Sequence, residues 1–109
     1  EQPTASRQAT LRAYGIEPDV PVIGIVARLD KFKGHDDLLD LMPILLQHHP
    51  DLRLIFVGDG YYREALEYRI GREQLQDRVI FAGLIPFRQV SWLVTFLPPS
   101  HFELFKTVD

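Results

Sequence analysis

The sequence predicts an α/β domain in which a parallel sheet of three to four strands lies between helices. Three observations lead there. Short apolar runs recur three times, and the first two are followed by stretches with helical spacing. The runs are continuous rather than alternating, as in strands covered on both faces. The chain has 109 residues, the size of one domain, with 46% hydrophobic and 25% charged residues, the ordinary balance of a folded globular chain. Disorder, collagen-like repeats and coiled coil are excluded on this composition, and no low-complexity tract or internal repeat is present.

Residues 1–19 are polar and form a leading segment, with a short helix expected across residues 6–14. Gly15 would stop that helix, and Pro18 and Pro21 keep the following residues extended. Val22-Ile23-Gly24-Ile25-Val26-Ala27 is the first expected strand. A loop over residues 28–34 leads into a helix over 35–49, where Leu38, Leu39, Met42, Leu45 and Leu46 recur at three-and-four spacing. Asp36 and Asp37 in its first turn suit the helix dipole. Pro43 removes one of its hydrogen bonds and is expected to kink it, and Pro50 ends it.

The unit then repeats. Leu52-Arg53-Leu54-Ile55-Phe56-Val57 is a second strand, closed by Gly58-Asp59-Gly60 and followed by a helix over 61–70. Asp77-Arg78-Val79-Ile80-Phe81-Ala82 is a third strand, ending at Gly83, with a weaker helical stretch over 87–93. The strand–helix order completes a core over residues 20–95 with right-handed crossovers. Residues 96–109 form a tail in which Phe96-Leu97 is at most a strand stub.

Several functions are disfavoured by what the chain carries. No cysteine is present, so disulfides and thiolate metal sites are excluded; a reducing, cytoplasmic location is expected. A net charge of -3 gives no reason to expect nucleic acid. The longest apolar stretch, residues 20–27, is far shorter than the ~20 residues of a membrane span. Glu1-Gln2-Pro3-Thr4 shows no basic-then-apolar leader pattern. His48 and His49 are adjacent and suit a helix C-terminus, and His101 near Glu103 lacks a third ligand, so no metal is expected. No G-x-G-x-x-G, P-loop or G-x-S-x-G elbow occurs. Asp30 and Asp59 are too scattered for the acidic cluster of a phosphate-binding regulator.

In open parallel sheets, ligands bind beyond the carboxyl ends of the strands. Three loops are expected there: residues 28–34, 58–60 and 83–86. The first holds Arg28, Lys31 and Lys33, three of twelve basic residues, and leads into a helix N-terminus that favours an anion. This makes a pyrophosphate cradle. A second reading has the same charges solvated and paired with Asp30, Asp36 and Asp37. Gly58-Asp59-Gly60 either lets a ligand approach the backbone or makes a tight turn, and the turn is favoured.

Taken together the loops resemble a known pattern. Ile25-Val26-Ala27-Arg28-Leu29-Asp30-Lys31-Phe32-Lys33-Gly34-His35 resembles the G-R-L-x-x-x-K-G segment of group 1, glycogen-synthase-like glycosyltransferases. Pro50-Asp51-Leu52-Arg53-Leu54-Ile55-Phe56-Val57-Gly58-Asp59-Gly60 is similar to that family's P-x-x-x-L-x-I-V-G-D-G. Asp77-Arg78-Val79-Ile80-Phe81-Ala82-Gly83 resembles its V-x-F-x-G strand, and Pro99-Ser100-His101-Phe102-Glu103-Leu104-Phe105 its P-S-x-x-E-x-F-G. The resemblance implies a Rossmann-like, three-layer αβα domain, the C-terminal, donor-binding half of a GT-B fold.

It further implies that Arg28 and Lys33 contact the diphosphate of a nucleotide-sugar donor and steady the departing nucleoside diphosphate. Gly58 and Asp59, with the backbone of Gly83, Leu84 and Ile85, would border the nucleotide. Glu103 would be the first glutamate of the family's pair, near the donor sugar. The chain departs from the pattern where Leu104 and Lys106 stand in place of glycines, and where residues 90–99 are short for a helix plus strand. The second glutamate would lie beyond Asp109, so an incomplete donor site and an isolated chain without activity are expected. The alternative is a non-catalytic interaction module, a homodimer joined through Trp92, Phe96, Phe102 and Phe105.

Overall fold

The computed structural model describes residue 9, residues 11–17 and 19–84, and the backbone of residues 103–107. Four strands, β1 (Val22–Val26), β2 (Arg53–Val57), β3 (Val79–Gly83) and β4 (Glu103–Thr107), form one sheet. Two helices, α1 (His35–His48) and α2 (Arg63–Arg72), make the crossovers β1–α1–β2 and β2–α2–β3. The strand order is β3-β2-β1-β4, with every neighbouring pair parallel. This is the α/β, Rossmann-like arrangement that the alternation of patterns predicts.

Burial explains why the strands read as continuous apolar runs. Ile23, Ile25, Leu54, Phe56 and Val79 pack against Leu39 and Met42 of α1 and Leu66 and Ile70 of α2. The alternate residues Val22, Ile55 and Val57 face the other way, against Leu11 and Ile16 of the leading segment. Leu11 is fully buried and Ile16 nearly so, although the sequence around them is polar. The leading segment is helical at Ala9 and across residues 11–13. Gly15 closes it, its N–H donating to the Arg12 carbonyl at 2.9 Å.

Pro43 stands inside α1, and the helical assignment continues unbroken to His48. The ring lies on the exposed side of the helix, away from buried Leu39 and Met42. At the end of α1, the Nδ1 of His48 lies 3.1 Å from the Ile44 carbonyl.

The fourth strand differs from expectation. It runs from Glu103 to Thr107 and pairs with β1 in the register Val22↔Glu103 to Val26↔Thr107. The Phe96-Leu97 stub, the helical stretch over 87–93, and Trp92 and Phe102 of the expected self-association surface all lie outside the described residues. Phe105 is described only as a backbone position in β4. Among the described residues no helix is long and apolar enough to cross a membrane.

Candidate functional site

Strand order locates the site. Connections leave β1 toward β2 on one side, and β4 lies on the other, so the order reverses between β1 and β4. Beyond the carboxyl ends of the strands at such a point a crevice opens, because the neighbouring connections run away from each other. A cavity of about 250 Å³ opens beside β1 and the start of α1. Its floor is apolar, made by Ile23, Ile25, Leu38 and Leu41. Lys33, Gly34 and Asp37 line it as well, one cation and one anion beside a helix start. A second cleft of about 300 Å³ is lined by Lys31, Phe32, Gly34, Asp36 and Asp37.

Gly34 joins both clefts. It is the N-cap of α1, in the left-handed region at φ 106°, and no side chain caps the helix there. A Cβ on Gly34 would meet nothing within 4 Å, so the space over the helix start is open. An uncapped helix start beside a lysine is a place for an anion, since the first-turn N–H groups have no partner within the helix.

The three loops are woven together by backbone hydrogen bonds. The Ala27 N–H donates to the Val57 carbonyl at 3.0 Å, Leu29 N–H to the Asp59 carbonyl at 3.1 Å, and Gly58 N–H to the Gly83 carbonyl at 2.8 Å. Tyr62 N–H donates back to the Leu29 carbonyl at 2.9 Å. Gly58 has φ 135°, and a Cβ there would lie 1.9 Å from the Ala27 carbonyl oxygen. At Gly60 a Cβ would lie 2.6 Å from the Leu29 carbonyl oxygen. These glycines are required by the approach of one protein backbone to another, which is the turn reading of Gly58-Asp59-Gly60. Asp59 Oδ1 accepts from the Gly60 N–H at 2.9 Å.

The residues singled out from the sequence are thus distributed unevenly. Lys33 lines the cavity beside β1 and the start of α1. Arg28 is three-quarters exposed, its Nε 3.3 Å from Asp30 Oδ2. Gly83 ends β3 next to a register shift that sets it beside Val57, and Leu84 is exposed. Ile85 lies outside the described residues. Glu103 is described by its backbone register alone. Its register partner is Val22, the first residue of β1, so it begins β4 at the end of the sheet opposite the loops. Four residues of strand, roughly 13 Å at ~3.3 Å each, separate it from the level of Val26. The residue of β4 that reaches the loop end is Thr107.

Two groups not anticipated as special lie under the first loop. His35, the first residue of α1, is 1% exposed, and neither ring nitrogen has a hydrogen-bond partner. Its ring stands edge-on to Phe56 at 4.8 Å, and Phe56 in turn to Phe81 at 5.6 Å. Burial lowers the His35 pKa against the opposing pull of Asp36 and Asp30, so the ring is held neutral. Asp30 Oδ1 is also buried without a partner. One signal could have found His35: it stands four residues before Leu39, on the buried face of α1, although a polar residue at a helix start ordinarily reads as exposed.

The fold and this loop geometry define a class, the Rossmann-like α/β domains in which a ligand site lies at a strand-order reversal. Comparison with known proteins narrows it. The profile of the family "Glycosyl transferases group 1" matches residues 6–95, and the chain belongs to that family. It is 34% identical over 109 aligned residues to a phosphatidylinositol N-acetylglucosaminyltransferase subunit of Arabidopsis thaliana, covering 94% of this chain and 24% of that protein. It is 32% identical to the glycogen synthase of Geotalea uraniireducens, covering 90% and 21% respectively. The chain therefore spans about a quarter of the length of these curated relatives.

Among solved structures, Anabaena HepE in complex with UDP and glucose superposes with a TM-score of 0.68 at 27% identity, over 82% of this chain and 25% of HepE. The C-terminal domain of the group 1 protein LpcC of Francisella tularensis shares the fold, with a TM-score of 0.61 at 22% identity, over 79% of this chain and 47% of that one.

Proposed function

We propose that residues 1–109 form one domain, the donor-binding part of a glycosyltransferase, and that it takes a nucleoside diphosphate sugar at the reversal between β1 and β4. The observation that carries this is the cavity beside β1, lined by Lys33, by the uncapped start of α1 and by apolar Ile23, Ile25, Leu38 and Leu41. The diphosphate meets the Lys33 ammonium and the N–H groups of the first turn of α1. Arg28, three-quarters exposed, reaches the same anion by leaving its pairing with Asp30. The open space over Gly34 admits the phosphates close to the backbone.

When the bond from sugar to diphosphate breaks, negative charge develops on the departing phosphate oxygen. The helix N–H groups and Lys33, joined by Arg28 once it has left Asp30, stabilise that charge more than they stabilise the intact donor. In this reading Arg28 and Lys33 supply the counter-charge that a metal ion supplies in other transferases. The backbone of Gly83 and Leu84 borders the nucleotide, and Gly58 and Asp59 act by holding the first loop. The acceptor site belongs to parts of the enzyme beyond this domain, in keeping with the quarter of the relatives' length that the chain spans.

The test is an amide NMR titration with UDP, GDP and ADP. Shifts confined to residues 28–37, 58–60 and 83–84 are expected, with Lys33→Ala weakening binding about tenfold or more, the loss of one charge-assisted contact. The Arg28→Ala/Lys33→Ala variant should lose the shifts. Native chain that gives no shifts with any of the three nucleotides would overturn the reading.

A further inference from the structure

The first turn of α1 holds two carboxylates where an anion is to bind, and one of them is tied away. Asp36 is the second residue of α1. The Tyr62 hydroxyl donates to Asp36 Oδ2 at 2.5 Å. Arg69 Nη1 donates to Asp36 Oδ1 at 2.8 Å and to the Asp36 carbonyl at 3.2 Å. Arg69 is itself fixed, with Nη2 paired to Asp40 and Nε 2.8 Å from Glu73. The Arg69 side chain is only one-fifth exposed, and its fork of donors joins α2 to two successive turns of α1.

Charge and geometry agree on the consequence. An acidic side chain at the second position of a helix is well placed to accept from first-turn N–H groups, and it is favoured there by the dipole. Asp36 does not cap α1, because both of its oxygens are engaged by Tyr62 and Arg69. Burial disfavours its charged form, yet the hydrogen bonds from Tyr62 and Arg69 outweigh this and lower its pKa. Tyr62 also ties its own N–H to the Leu29 carbonyl, so the residue that holds Asp36 is fastened to the first loop.

We infer that Arg69 and Tyr62 are positioning residues for the anion site: they hold the Asp36 carboxylate off the start of α1 and neutralise it, leaving the first-turn N–H groups to a diphosphate. The inference rests on the donor-site reading above. It adds that affinity depends on a pair of residues at the start and end of α2, neither of which touches the ligand.

The experiment compares UDP binding by native chain, Arg69→Met, Asp36→Asn and the double variant Asp36→Asn/Arg69→Met, with thermal stability followed alongside. Arg69→Met is expected to weaken binding about tenfold, because a released carboxylate competes for the N–H groups and opposes the phosphates. The double variant should return to within about threefold of native affinity while remaining as destabilised as Arg69→Met, since the competing charge is gone but the tie between helices is not restored. Asp36→Asn alone should bind at least as well as native.

A merely structural role would give no such recovery. Equal affinity of native and Arg69→Met overturns the inference, as does a double variant as weak as the single one. If Arg69→Met does not fold, Asp36→Asn decides, because tenfold weaker binding by that variant overturns the inference and unchanged or tighter binding upholds it. Native chain that binds no UDP overturns the donor-site reading and this inference with it.

Discussion

The first two loops at the carboxyl end of the sheet look alike in sequence terms, since each follows a buried strand and contains glycine beside charge. They do opposite work. The loop over 58–60 is closed in on itself, its glycines pressed against the Ala27 and Leu29 backbone and its aspartate turned to its own neighbour. The loop over 28–34 is held at Ala27 and Leu29 by that contact and then opens, with Phe32 exposed and Gly34 under empty space. One loop is a brace and the other borders open clefts, and glycine in a strand-to-helix turn does not by itself say which.

The sharpest way to break this comparison is to place the same methyl group in both loops. Gly58→Ala combines a left-handed φ with a contact of 1.9 Å to a carbonyl oxygen, so a loss of roughly 3 kcal/mol or more is expected in urea unfolding. Gly34→Ala has the positive φ but no clash, and about 1–2 kcal/mol is expected. Equal costs would mean that the brace and the open loop are not distinguished by packing.

A pH series examines the base of the open loop. Burial keeps His35 neutral in the folded chain, whereas in the unfolded chain it takes a proton below about pH 6.5. The unfolded state then binds more protons, so the contribution is fully present above that pH and is lost as pH falls below it. The slope is at most about 1.4 kcal/mol per pH unit for one proton. His35→Leu should flatten the urea-unfolding free energy between pH 7 and 5, and an unchanged slope would remove His35 as its source.

The smallest expected effect is electrostatic. Asp37 lines both clefts and, unlike Asp36, is exposed. Asp37→Asn should tighten UDP binding by about two- to threefold at low salt, with the gain fading as salt rises. Weaker binding by this variant would mean that Asp37 contacts the ligand directly.

Much of this was legible in the residues. Val22–Val26, Arg53–Val57 and Val79–Gly83 read as strands because burial on both faces demands unbroken apolar runs, and α1 read as a helix because its stripe faces the sheet. The start of α1 at His35, just after the basic loop, was legible because the apolar spacing begins there. What depends on partners distant in sequence was not. Leu11 and Ile16 are two apolar residues in a polar stretch, with no period to mark them as the cover of the second face. Residues Glu103–Thr107 carry charge at two of five positions, and only pairing with β1 makes them a strand. The glutamate motif at residues 99–105 matched in order but not in its glycines, and the register sets Glu103 at the far end of the sheet. Nothing in the sequence marks Arg69, because two of its three carboxylate partners, Asp36 and Asp40, lie on the other helix.

The weave of backbone bonds among the loops has one more implication, for how such a domain can diversify. Ala27, Leu29, Gly58 and Gly83 are joined main chain to main chain, so the scaffold at this end of the sheet asks almost nothing of the side chains at residues 31 and 32. Those positions can be exchanged without loosening the sheet, whereas the two glycines of the brace cannot. The main-chain atoms that hold this end of the sheet together and the side chains that face the open clefts thus sit at different positions, so a substitution at one set leaves the other in place.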